Sequence, residues 1–158
     1  MMAGQNWDSR DAARRFCESR GLPVEPPDEL GDLGREAWRD LMRNLAILDQ
    51  IYEGINIAAS DINLLLAHCH NKEQFCLILE SLKKLEAEQA RTKKGGDRAE
   101  ELGAEIFRLT TILQPLELSI LNTSDQLFLT PVSRVDLVKR DDEFYGLIDD
   151  ARDFLTNL

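Results

Sequence analysis

The chain has 158 residues, 43% of them hydrophobic and 30% charged, with a formal net charge of -10. That length and apolar content suit one domain with a packed core, and nine Gly with five Pro exclude collagen-like and low-complexity classes. The acidic balance excludes a nucleic-acid binder, which needs basic patches to displace counterions from phosphates, and it excludes an anionic membrane surface as partner.

Apolar spacing is helical almost throughout. A first helix is predicted over Ser9 to Arg20, with Ala12, Ala13, Phe16 and Cys17 on one side. Gly21 and Pro23 follow it, as residues placed just past a helix end do. Leu22 to Pro27 reads as extended, because its three prolines fix φ and restrict their predecessors. Residues 1–27 therefore form an N-terminal helix with a proline-containing linker, and residues 28–158 the bundle, which is expected to fold without them. Within the linker, Arg20 followed by Pro23 and Pro26 matches a polyproline II docking motif. Glu25, Asp28 and Glu29 make it acidic, and it reads as an interhelix connection.

The second helix is expected from Arg35 to about His70. Trp38, Leu41, Leu45, Leu48, Tyr52, Ile55, Ala59, Ile62, Leu66 and Cys69 recur in steps of three and four. Such a seam resembles that of a coiled coil, on a rod roughly 50 Å long at about 1.5 Å per residue. Asn71 with Gln74 reads as a fresh capping box opening a third helix, carrying Phe75, Ile78, Leu82 and Leu85. Gly95-Gly96 marks a break, and Asp97 with Glu100 caps a fourth helix through Leu127 that Pro115 should bend. Thr130-Pro131 reads as cap and first residue of a last helix, with Phe144, Leu147, Ile148, Ala151, Phe154 and Leu155 on its apolar side. No stretch alternates with period two, so no sheet is expected. The fold class is all-α, an elongated antiparallel helical bundle with coiled-coil-like heptad seams.

Chemistry is sparse. Three cysteines, Cys17, Cys69 and Cys76, form no disulfide pattern and fit a reducing compartment. The N-terminus lacks the basic and then apolar pattern of a signal peptide, and no apolar run reaches the ~18 residues of a membrane span. A cytoplasmic protein is expected. His68, Cys69, His70 and Cys76 are metal-ligand types, but residues two apart diverge by about 200° on a helix, so a helix end bearing histidines is the better reading and no metal is expected. Asp40, Asp49, Asp61 and Asp149-Asp150 sit at spacings of solvated faces. Asp61 lies within an apolar stretch and reads as the rim of a packed face. No nucleophile motif or glycine phosphate loop is present, so neither a catalytic site nor a cofactor is expected.

The feature beyond an ordinary core is a second apolar stripe on the second helix: Ile47, Ile51, Gly54, Ala58 and Leu65. A helix apolar on most sides is buried in the middle of something, either its own bundle or a partner. On that reading the protein is a non-catalytic interaction module, a helical subunit or adaptor that binds a protein partner or a second copy through apolar faces. The alternative is an acidic inhibitor or chaperone masking a basic partner. If the stripe is exposed, Gly54→Leu should stabilise the helix, since mid-helix Gly is about 1 kcal/mol worse than Ala.

Overall fold

The structure is a computed structural model of the full chain and describes residues 9–139 and Thr156. Four helices dominate: α1 (Ser9–Arg20), α2 (Asp32–Ile51), α3 (Ile62–Arg91) and α4 (Asp97–Gln126). Short pieces complete it, namely β1 (Tyr52–Glu53), a 3-10 turn at Ala59–Asp61, another at Val132–Arg134, and β2 (Val138–Lys139). It is an all-α helical bundle, and no described helix is long and apolar enough to cross a membrane. Against the expectation of no extended pairing, β1 and β2 form a two-residue antiparallel ladder, Tyr52 opposite Lys139 and Glu53 opposite Val138.

The first helix has the predicted bounds. Gly21, at φ +69°, closes it: the Leu22 amide reaches back to the Cys17 carbonyl at 2.9 Å, and the buried Leu22 side chain completes the C-terminal motif. Ala12, Phe16, Cys17 and Leu22 join one buried cluster with Trp38, Leu41, Met42, Leu45 and Ala46 of α2. The N-terminal segment is thus built into the core, and the expectation that the bundle folds without it gives way. Removing it would uncover Trp38 and Leu45, both fully buried.

The long second helix is broken. α2 ends at Ile51, Gly54 turns the chain at φ +92°, and Ile55 and Ile57 plunge into the interior from extended backbone. Arg20 makes this break. Its guanidinium pairs with Asp49, donates to the carbonyl of Ile55 and to that of Ile57 at 3.3 Å, and stacks on the Phe16 ring at 5.3 Å. Linker carbonyls that a continuous helix would have satisfied internally are satisfied by one side chain instead. Asp61 then restarts the helix: its carboxylate accepts the Ala58 N–H at 3.0 Å while its own N–H donates to the Ala58 carbonyl.

From there α3 runs without interruption through Asn71 to Arg91, so the predicted cap at Asn71 is absent. α3 folds back along α2, and Glu73, buried among them, receives the N–H groups of Gly34 at 2.7 Å and Gly31 at 3.3 Å. A carboxylate is well placed at the positive end of α2. The approach needs glycine: a Cβ on Gly31 would lie 2.6 Å from a Glu73 oxygen, and one on Gly34 at 3.2 Å.

α3 and α4 form an antiparallel hairpin. His68 meets Thr123 at one end, and Glu88 pairs with Arg98 at 2.6 Å near the other. Gly96 caps α4 without a side-chain bond, leaving Asp97 and Glu100 as first-turn acids rather than a capping box. Pro115 lies within α4. The helix ends with Phe128 at φ +59°, a left-handed position usually given to glycine, while the Leu129 N–H bonds Ser124 at 2.9 Å. Leu127 drops into the core, fully buried. Thr130 does act as a cap, its hydroxyl accepting the Ser133 N–H at 3.2 Å, but the helix it opens is a single 3-10 turn. The apolar positions predicted from Phe144 onward lie outside the described residues.

Arg20→Met should lower unfolding free energy by about 2–4 kcal/mol, since it strands the half-buried Asp49 and two carbonyls; a urea midpoint equal to wild type would refute the role given to Arg20. Gly54→Leu should destabilise by about 1–2 kcal/mol or more, the reverse of the helical expectation, because a side chain at positive φ is strained and its Cβ would sit 3.2 Å from Leu137 Cδ2. Thermal melts of that variant give the sign directly.

Candidate interaction surface

The break at Ile51 dissolves the predicted stripe as one helical face. Ile47 and Ile51 stay on α2 and are exposed, at 37% and 43%. Gly54 is the turn itself, and half-buried Ala58 flanks the 3-10 turn. Leu65 is fully buried on α3, against the cluster of α1 and α2. Ile47 alone among the five joins a larger apolar feature. It lines a trough of about 480 Å3 with Leu48, Ile120, Leu121 and Leu129, rimmed by Lys72, Glu117 and Arg134. A neighbouring hollow of about 410 Å3, with Leu33, Ala37, Phe75 and Cys76, shares Lys72, Glu117 and Ile120 with it. The two form one depression over α3, walled by α2 and α4.

Sequence reasoning missed the outer face of α4. Phe107 is 72% exposed, Leu118 55% and Leu121 51%. At about 100° per residue these three fall within roughly 60° of one another, so they form a line on the helix surface. The signal was present, since Phe107, Leu118 and Leu121 lie off the seam of Leu102, Leu109 and Leu127 that points inward. The cause is the uneven cover of the hairpin. α1 packs on α2 and α2 on α3, and α4 rests chiefly on α3. Only Leu102 and Leu109 of α4's thirty residues are buried. Leu77 on α3 adds another exposed apolar side chain, at 43%.

The candidate chemistry separates accordingly. His68 is buried while His70 is exposed, so the two face apart as their spacing required, though both stand in the early turns of α3 and not at a helix end. His68 Nδ1 is 2.7 Å from Thr123 Oγ1, whose hydroxyl donates to the Ile120 carbonyl at 3.0 Å. The ring is therefore the neutral Nδ1–H tautomer donating across the hairpin. Burial, aided by the nearby Lys72 charge, lowers its pKa to about 4. Burial likewise pushes the thiol of Cys17 up to about 11 and that of Cys69 to about 12, which keeps both protonated and unreactive. Asp49 is held by Arg20 and Asp61 starts α3, while Asp149-Asp150 lies outside the described residues.

The His68 shift has a defined pH consequence. The folded chain leaves the ring neutral down to about pH 4, whereas the unfolded chain protonates it near 6.5. Unfolding then takes up a proton, so stability falls as pH drops from 6.5 toward 4, by about 3 kcal/mol in all. His68→Gln should flatten the pH dependence of the urea-derived stability by one proton in that window. An unchanged slope would show that His68 titrates normally in the fold.

Comparison with known proteins finds no family model, no curated protein and no solved structure that matches the chain.

Proposed function

We propose that the protein is a non-catalytic interaction module, a helical subunit or adaptor that binds a protein partner through apolar helix faces. The observation that carries this reading is the line Phe107, Leu118 and Leu121, three large apolar side chains each more than half exposed on one helix. Single exposed leucines are ordinary, but an ordered line beside an apolar trough is what interaction sites present. The trough that includes Ile47 lies beside this line, because Leu121 belongs to both. Together they offer a ridge and a depression of the size that receives an amphipathic helix. Neutral His68 and protonated Cys17 and Cys69 are spent inside the core, which leaves them no part in acid–base or nucleophilic chemistry. The free cysteines suit a reducing compartment, and we place the protein in the cytoplasm.

The test is the mass of the assembly purified from its native source, repeated with the double substitution Leu118→Glu and Leu121→Glu. Both positions are exposed, so the variant chain should keep its circular dichroism and thermal midpoint while the assembly falls to the 18.0 kDa of a single chain. Affinity should change little between roughly 0.05 and 0.5 M salt, because an apolar contact is not screened. A steep loss over that range would favour instead an acidic protein masking a basic partner. A native particle that is already monomeric would overturn both readings.

A further inference from the structure

The cleft between α1 and α2 has a character opposite to that of the chain. The protein carries a net charge of -10, yet four arginines line this one cleft against a single carboxylate, Glu25. They come in two pairs at helical i, i+4 spacing: Arg10 and Arg14 on α1, Arg39 and Arg43 on α2. Like charges so spaced repel by a few tenths of a kcal/mol on each helix, and the fold sets two such pairs on facing helices. Local acids answer part of this charge. Asp11 bonds Arg14 at 2.7 Å and Asp40 touches Arg43 at 3.5 Å, both from the solvent side. Arg39 has no ion pair or hydrogen bond among the described residues.

Below the guanidinium groups the cleft is apolar, floored by Ala13, Cys17, Trp38 and Met42. Trp38 is fully buried, and its indole N–H has no acceptor among the described residues. A buried donor without a partner is uncommon in a folded protein. The cleft encloses about 300 Å3, the low end of the range for small-molecule sites. Guanidinium forks match the oxygens of a phosphate in pairs, and the apolar floor suits a ring or short chain carried by that phosphate. A nucleic-acid strand does not fit the same observations, since one basic cleft on an acidic surface cannot follow a polyanion.

We propose that the α1–α2 cleft binds a small organic phosphate monoester with an apolar body, its dianion held by Arg39 with Arg10, Arg14 and Arg43 and its body seated on Trp38 and Met42. This site is separate from the α4 line and does not depend on the interaction reading.

The probe is phenyl phosphate, with inorganic phosphate and phenol as its two halves. Trp7→Phe in the full chain, labelled with 15N-tryptophan, leaves the Trp38 indole N–H as the single observed resonance. Phenyl phosphate should move that resonance saturably, with a dissociation constant below about 1 mM. Each half alone should bind at least about tenfold more weakly, and Arg39→Gln should weaken phenyl phosphate at least about tenfold while Arg39→Lys retains part of the affinity. Arg39 is exposed, so both variants should keep the wild-type thermal midpoint; Arg43→Gln repeats the test from the next turn. Absence of saturation at about 20 mM, equal binding of inorganic phosphate, or unchanged affinity in both glutamine variants would overturn the assignment.

Discussion

One guanidinium decides the topology. Arg20 closes α1, pairs with Asp49 near the end of α2 and holds the carbonyls of Ile55 and Ile57 in the connection that follows. Ten residues between α2 and α3 would otherwise leave backbone groups unsatisfied beside an apolar core. With those carbonyls engaged, Ile55 and Ile57 bury their side chains from extended backbone, and α3 returns along α2 instead of extending it. A rod becomes a folded base of three packed helices. The same residue also ties α1 to this corner through its contact with Phe16, which is why the N-terminal segment belongs to the core and is not an appendage.

Much of this was legible in the sequence, and the failures share a cause. Both bounds of α1, the start of α4 at Asp97 and the inward seam of Trp38, Leu41, Leu45, Leu102 and Leu109 follow from apolar spacing and punctuation. The break at 52–61 did not, because Ile55, Ala59 and Ile62 continue the three-four rhythm through a segment that is not helical. Periodicity reports which side chains go inward. It does not report whether the backbone between them is coiled. The cue was Gly54, read as a small residue for close packing when its use is a positive φ. The opposite error arose at Asn71, where a capping pattern occurs inside an uninterrupted helix. Cap residues cost little at half-exposed positions, so such a pattern proves nothing unless the helix has another reason to start there. Of the candidate site, Ile47 was found and the α4 line was not, since exposure depends on which helices cover which, and that is settled only by the fold.

The result is an uneven molecule. At one end the cluster of α1, α2 and the start of α3 is sealed by Leu127, Ile57 and Leu65. Away from it the α3–α4 hairpin is held by few buried side chains, Leu82, Leu102 and Leu109, and by surface ion pairs such as Arg98 with Glu88. Exposed ion pairs add little stability. The interaction face therefore stands on the less constrained part of the structure, where local opening is least costly and a partner can gain the most contact. The arginine cleft occupies the rigid end, where two packed helices hold its lining at fixed spacing.

The junction of Glu73 with Gly31 and Gly34 constrains descent as well as structure. Any Cβ at position 31 collides with the carboxylate, and any shortening at position 73 leaves two buried N–H groups facing nothing. Neither change is tolerable before the other. In chains that share this ancestry the three positions should be inherited as a block, glycine, glycine and glutamate, separated by 3 and 39 residues in this sequence. Spacing of that kind survives long after surface residues have drifted, and it supplies a signature by which distant kin can be told from chance helical bundles.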